Sequence, residues 1–262
     1  MIDAHIHFDQ YNEEQQKMIL KEMAQFNVTH LIAVSTHLAS SKANLKIAQN
    51  DKRIQPAFGF HPEQELLGES EQAQLFEWIR AHRDEMVAIG EVGLPYYLKQ
   101  EKEVLYQPYI DLLEKFIALA AEMDKPIILH AVYEDAHIVC DLLEKYNVTT
   151  AHFHWFKGDT QVVQRMIENG YFISITPDVL YEKEIQQLVK QYPLEQMMVE
   201  TDGPWPFKGT FSGKMTHPIM IRASIEKIAT IKQLSYEKVS TKLYENTQKF
   251  YRLKCSNSSL KV

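Results

Sequence analysis

The chain has 262 residues, 45% of them hydrophobic, which is enough for a sizeable core in one large α/β domain or two small ones. Its formal net charge of −7 argues against a protein that holds nucleic acid through broad positive charge. It leaves room for a nuclease whose local positive charge comes from metal ions.

Short apolar runs alternate with longer amphipathic ones. Residues 2–6 are the first predicted strand. A helix follows over 13–26, with Asn12 as its N-cap and Gln15 three residues on. Residues 31–35 form the second strand, and Ser40 or Ser41 opens a helix carrying Leu45 and Ile47. Residues 56–60 are a third strand, weakened by Pro56 and Gly59. A helix with Leu75, Phe76 and Ile79 leads to the apolar run 86–91, which Gly90 and Gly93 punctuate. The longest helix is expected over 103–123, with Leu105, Tyr109, Leu112, Phe116, Leu119 and Met123 on its buried face. Lys125-Pro126 breaks it, and 127–130 is the fifth strand. A helix with Ile138, Leu142 and Leu143 precedes strand six, 148–154. The helix from Asp159 stops at Gly170, and 171–175 is strand seven. A helix with Ile185, Leu188 and Val189 ends before Pro193, and 197–200 is strand eight. Beyond a loop rich in Gly and Pro, Pro218 opens a helix with Ile221, Ile225 and Ile228, and a last helix starts at Tyr236. The Ser-rich tail from Lys254 is expected to be short and disordered.

Eight strands alternating with helices in about 250 residues predict a (β/α)8 TIM barrel. The competing architecture, an open doubly wound sheet, lacks the glycine-rich phosphate loop that would follow its first strand. With no linker and no internal repeat, residues 1–253 are read as one barrel domain and 254–262 as a polar tail. The two cysteines, Cys140 and Cys255, suggest no disulfide framework and a reducing compartment. The start Met1-Ile2-Asp3-Ala4-His5 carries no basic or apolar leader, and no apolar run approaches the ~20 residues of a membrane helix. The expectation is a soluble cytoplasmic protein that meets no membrane; the oligomeric state is left open.

Strand four ends on Glu91, with no Lys or Arg within several residues. A buried carboxylate without a partner is costly. In a (β/α)8 barrel, side chains at the C-terminal strand ends converge on one mouth. That brings Glu91 together with His5 and His7 from strand one, whose alternate spacing puts both on one face. Strand five adds His130, strand six His154 and strand eight Asp202. Four imidazoles and two carboxylates exceed one tetrahedral shell, so two divalent ions are inferred (zinc, manganese or magnesium), with Glu91 able to bridge them. Ordinary core groups would scatter over strand interiors rather than recur at successive tips. His152 and His154 compete for one ligand position. His61 is read as pocket lining or loop structure. His30, His37, His82 and His137 are read as surface or boundary residues, and the acidic run over 63–71 as a solvated face. Trp155, Phe156, Trp205 and Phe207 are read as pocket walls or as aromatic core.

Six motifs occur in order: Asp3-Ala4-His5-Ile6-His7, Gly59-Phe60-His61-Pro62, Gly90-Glu91-Val92-Gly93-Leu94, Lys125-Pro126-Ile127-Ile128-Leu129-His130, His154-Trp155-Phe156-Lys157-Gly158 and Glu200-Thr201-Asp202-Gly203-Pro204. Together they resemble the TatD-type metal-dependent hydrolases, a branch of the amidohydrolase superfamily. The resemblance implies a barrel with two divalent ions and gives ligand roles to His5, His7, Glu91, His130, His154 and Asp202. Family spacing to Phe156 and Gly158 favours His154 over His152, which is left to pack inside or to hydrogen-bond to a ligand. The resemblance also implies hydrolysis by a metal-activated water, with Asp202 taking the water's proton and returning it to the leaving group. It points first to a deoxyribonuclease acting on single-stranded or end-frayed DNA. His61 and Lys157 would then supply positive charge, and Trp155 a stacking face. Three positions depart from the family. Pro95 replaces an Asp, Ala131-Val132 replaces the Arg two residues after His130, and His217 replaces the common Asn or Glu before Pro218. Arginine grips phosphate bidentately. Its loss, with the acidic total, favours an alternative in which the same metals cleave a small ester, lactone or amide. A barrel that binds metal without turnover is a third reading.

Overall fold

The apolar runs become eight parallel strands: β1 (Ile2–Ile6), β2 (His30–Ala33), β3 (Ile54–Phe58), β4 (Ala88–Gly93), β5 (Ile127–His130), β6 (Ala151–Phe153), β7 (Phe172–Ile175) and β8 (Met197–Val199). Except for Gln55 and Phe172, every strand residue is buried, which is why the runs read as continuous rather than alternating. The strands pair in chain order from β1 to β8. The ring closes just past β8, where the Asp202 N–H donates to the His5 carbonyl at 2.9 Å and the His7 N–H to the Gly203 carbonyl at 2.8 Å. The computed structural model, which describes residues 1–254, is therefore the expected single (β/α)8 barrel. Apart from Lys254, the expected tail lies outside the described residues, as does Cys255.

The outer layer comprises α1 (Glu13–Met23), α2 (Leu38–Asn50), α3 (Glu69–Ala81), α4 (Leu98–Glu101), α5 (Gln107–Met123), α6 (Glu134–Lys145), α7 (Thr160–Glu168), α8 (Lys183–Gln191), α9 (Ile221–Lys232) and α10 (Tyr236–Phe250). The capping box of α1 forms as expected: Asn12 Oδ1 accepts the Gln15 N–H at 2.9 Å, and Gln15 Oε1 accepts the Asn12 N–H at 3.0 Å. Other boundaries differ. The N-cap of α2 is His37, whose Nδ1 accepts the Ser40 N–H at 3.1 Å, while the Ser40 hydroxyl accepts the Thr36 N–H. The long helix α5 begins at Gln107, not 103, with Pro108 in its first turn. Leu105 is 81% exposed and belongs to no buried face. Pro218 opens a 3₁₀ turn, Pro218–Met220, and α9 starts only at Ile221. His30 is buried in β2 rather than at the surface. No helix among the described residues is long and apolar enough to cross a membrane.

Ile2, Ala4, Ile32, Val34, Ala57, Ala88, Ile128 and Met198 pack together as the barrel's filling, closed by Phe250, Tyr251 and Leu253. Two strands change face near their ends. Ile2 and Ala4 belong to this inner cluster, whereas Ile6 packs in an outer one, and the β1–β2 register shifts between Asp3 and Ile6. Ala88 is inner while Ile89 and Val92 are both outer, and the β4–β5 register shifts between Ile89 and Val92. Such irregularities re-aim side chains. Here they fall on the strands that carry His5, His7 and Glu91.

Candidate functional site

Glu91 is fully buried at the mouth, and its two oxygens face two groups of imidazoles. Oε2 lies 3.2 Å from His5 Nε2 and 3.3 Å from His7 Nε2. Asp202 Oδ1 lies 3.3 Å from the same two nitrogens. Glu91 Oε1 lies 2.7 Å from His154 Nε2, 3.0 Å from His130 Nδ1 and 3.4 Å from His61 Nε2. The structure thus gathers all six expected ligands and adds His61. Close strand approach helps place His130: a Cβ at Gly93 would stand 1.9 Å from the His130 carbonyl oxygen. Asp202 enters with φ at +49°, a left-handed conformation that only a few non-glycine residues adopt.

The donor set suits a divalent cation. His5 Nε2, Glu91 Oε2 and Asp202 Oδ1 are buried without a hydrogen-bond partner among the described residues. Metal–ligand bonds of about 2.0–2.2 Å put neighbouring tetrahedral donors roughly 3.3–3.6 Å apart. The N···O spacings of 3.2–3.3 Å around Glu91 Oε2 and Asp202 Oδ1 come close to that.

Without metal, protons stand in. Burial pushes Glu91 up, but the imidazoles of His154, His61 and His5 outweigh it and hold the carboxyl well below its usual range. Burial likewise acts upward on Asp202, and the close imidazoles of His5 and His7 reverse it. Burial and the nearby His154 push His5 down, yet Glu91 and Asp202 raise it to about 9. Burial also acts against a charged His154, which Glu91 and Glu200 raise well above normal. Metal binding must displace such protons. Zinc titrated into metal-free protein at pH 7 is therefore expected to release at least one proton, read from its heat in buffers of different ionisation enthalpy. Affinity should climb with pH and level off only above about 9, once His5 has lost its proton. The raised His5 pKa stabilises the metal-free fold most below 6.5, and that contribution fades as pH rises through about 9, opposite to the metal's trend. Binding without proton release would contradict the assignment.

His61 differs from the other imidazoles. Its Nδ1 accepts the Glu63 N–H at 3.2 Å, so a neutral ring carries its proton on Nε2, facing Glu91. Burial pushes its pKa down to about 4, beyond what Glu91 restores. His61 thus offers the pocket an N–H rather than a lone pair.

Two carboxylates were not legible as site residues. Glu63, expected on a solvated face, accepts the Tyr97 and Leu98 N–H groups at 2.9 and 2.6 Å and lies 3.1 Å from His130 Nε2. Its position directly after His61-Pro62 is the only sequence hint. Glu200 accepts the Trp155 N–H at 2.8 Å and stands 3.7 Å from His154 Nδ1. Its place in the Glu200-Thr201-Asp202 motif was visible, but its role was not.

Trp155 and Lys157 lie on the loop after β6, outside the clustered donors. The Trp155 indole N–H donates to Asp178 Oδ2 at 2.6 Å, and Lys157 Nζ is 5.6 Å from the Trp155 ring. Trp205, 58% exposed, and the buried Phe207 pack beside Trp155. Phe156 is core, packed against Phe153. His152 is buried outside the ligand cluster, and burial holds its pKa well below normal. Val132, at the position of the missing Arg, is buried and apolar.

A family model described as TatD-related DNase matches residues 2–252. A Haemophilus influenzae protein named as an uncharacterized metal-dependent hydrolase is 41% identical over 97% of this chain and 100% of its own length. A human protein named deoxyribonuclease TATDN3 is 27% identical over 96% of this chain and 94% of its own. The crystal structure of YjjV, a TatD homologue from Escherichia coli, superposes with a TM-score of 0.85 at 23% identity, covering 97% of this chain and 98% of the other.

Proposed function

The chain belongs to the TatD-related DNase family of metal-dependent hydrolases, and from that premise we propose that it cleaves phosphodiester bonds at DNA ends. In this reading His5, His7, Glu91, His130, His154 and Asp202 hold two divalent ions, with zinc, manganese and magnesium all compatible with the donors. The observation that carries it is the division of Glu91, one oxygen toward His5 and His7 and the other toward His130 and His154. Ions bound there supply Lewis acidity and lower the pKa of an attacking water. Asp202 accepts the water's proton and returns it to the leaving oxygen. His61 donates its Nε2–H to a substrate oxygen. Trp155, its indole fixed by Asp178, offers a stacking face, and Lys157 adds positive charge beside it. The name of the human relative supports DNA as substrate.

One observation favours a second reading. Where an Arg would grip phosphate, the buried Val132 offers nothing polar, and Glu63 places a carboxylate beside His130. That environment suits a small ester, lactone or amide better than a polyanion. Initial rates with manganese or magnesium separate the two. We expect a short single-stranded DNA to be cleaved, beside a generic phosphodiester, and both far more slowly by Asp202→Asn. Cleavage of a generic ester without DNA cleavage selects the small-molecule reading. Metal binding with no hydrolysis of any of them selects a non-catalytic barrel.

A further inference from the structure

Inside the barrel are four polar side chains that the reaction above does not employ: Glu200, Ser174, His152 and Tyr251, none more than 2% exposed. They form a continuous file. The Glu200 oxygens accept the Trp155 N–H and the Ser174 hydroxyl. His152 Nε2 lies 2.5 Å from Ser174 Oγ, and His152 Nδ1 lies 2.7 Å from the Tyr251 hydroxyl. The Tyr251 hydroxyl is also 3.3 Å from the Ala4 carbonyl oxygen.

Counting protons gives the file a direction. Ser174 has one hydroxyl proton, and Glu200, whose two oxygens both accept, takes it. Ser174 must then accept from His152, which places the His152 proton on Nε2. Its Nδ1 in turn accepts from Tyr251, whose single proton is no longer free for Ala4. At the far end, Glu200 Oε1 faces His154 Nδ1 across 3.7 Å, beyond hydrogen-bond range but close enough to favour a proton there.

We propose that Tyr251, His152 and Ser174 form a one-way hydrogen-bond chain that fixes the Glu200 carboxylate, which in turn holds His154 as its Nδ1–H tautomer and leaves Nε2 as the metal-binding lone pair. All four are positioning residues, and the inference rests on the reading of His154 as a metal ligand. Outer partners that fix a ligand's tautomer commonly set metal affinity. The reverse direction requires a proton on Glu200. Ser174 would then donate to His152 Nε2, the His152 proton would sit on Nδ1, and Tyr251 would turn to Ala4. The two directions differ in which nitrogen of His152 carries hydrogen.

That difference is measurable in metal-free protein labelled with ¹⁵N-histidine, through two-bond ¹⁵N–¹H correlations at pH 7. The expected result is His152 in the Nε2–H form; the Nδ1–H form overturns the chain. This readout involves neither metal nor hydrolysis, so its failure is distinct from failure of the proposed function. Zinc affinity, measured against a competing chelator, provides the second readout. Ser174→Ala removes the donor to Glu200, and Tyr251→Phe removes the first donor while keeping the ring. Each is expected to weaken zinc binding by about 10-fold or more. In folded Tyr251→Phe, Ser174 still donates to Glu200, so His152 should keep the Nε2–H form. Unchanged zinc affinity in Ser174→Ala overturns the proposal, and that variant decides the matter if Tyr251→Phe does not fold.

Discussion

Asp202→Asn is expected to lower turnover by about 10²–10⁴-fold, the range that loss of a positioned acid–base group commonly produces. The fold should survive. The change is nearly isosteric, the residue's N–H still donates to the His5 carbonyl, and asparagine tolerates the +49° φ better than most residues do. What disappears is the oxygen that stands 3.3 Å from both His5 and His7 as a charged acceptor, together with the capacity to take a proton. Steady-state rates beside a thermal melt separate the two effects. Wild-type turnover in a folded variant would remove Asp202 from the chemistry.

Glu91→Gln should be more severe for the metal than for the reaction alone. Glu91 presents its two side-chain oxygens to separate groups of imidazoles, and an amide has one oxygen to offer. The expected result is fewer than two metal equivalents per chain by elemental analysis, with turnover reduced below that of Asp202→Asn. Two retained equivalents would show that Glu91 does not bridge. The substitution also removes the main influence that raises His154 and one of those that raise His5, so both should titrate lower in the metal-free variant.

Much of this was legible in the chain because barrel strands end in one place. Once eight apolar runs are recognised, the residues at their tips share a mouth, and His5, His7, Glu91, His130, His154 and Asp202 follow. Glu63 escaped because no periodicity tells that the segment after Pro62 turns back over His130. The Tyr97 and Leu98 amides, contributed by a distant segment, hold it there beside His130. The early start assigned to the long helix failed for a related reason: Leu105 matches the apolar spacing but stands in the connection that precedes Gln107. The sequence leaves His61 between pocket lining and loop structure, because the tautomer that turns its N–H toward Glu91 depends on one backbone amide that sequence does not locate.

The seam between the first and last strands has a bearing on how the protein is made. His5 and His7 leave the ribosome some two hundred residues ahead of Asp202 and the amides that close the ring. A nascent chain that has reached β7 holds most of the imidazoles but neither Asp202 nor the hydrogen bonds that bring β1 alongside it. If His5 and His7 are metal ligands, as proposed, their firm capture of metal would be a late event in biosynthesis, and it would fasten together segments from opposite ends of the barrel. Loading would then serve as a clasp, one that a chain cut short before residue 202 could not fasten.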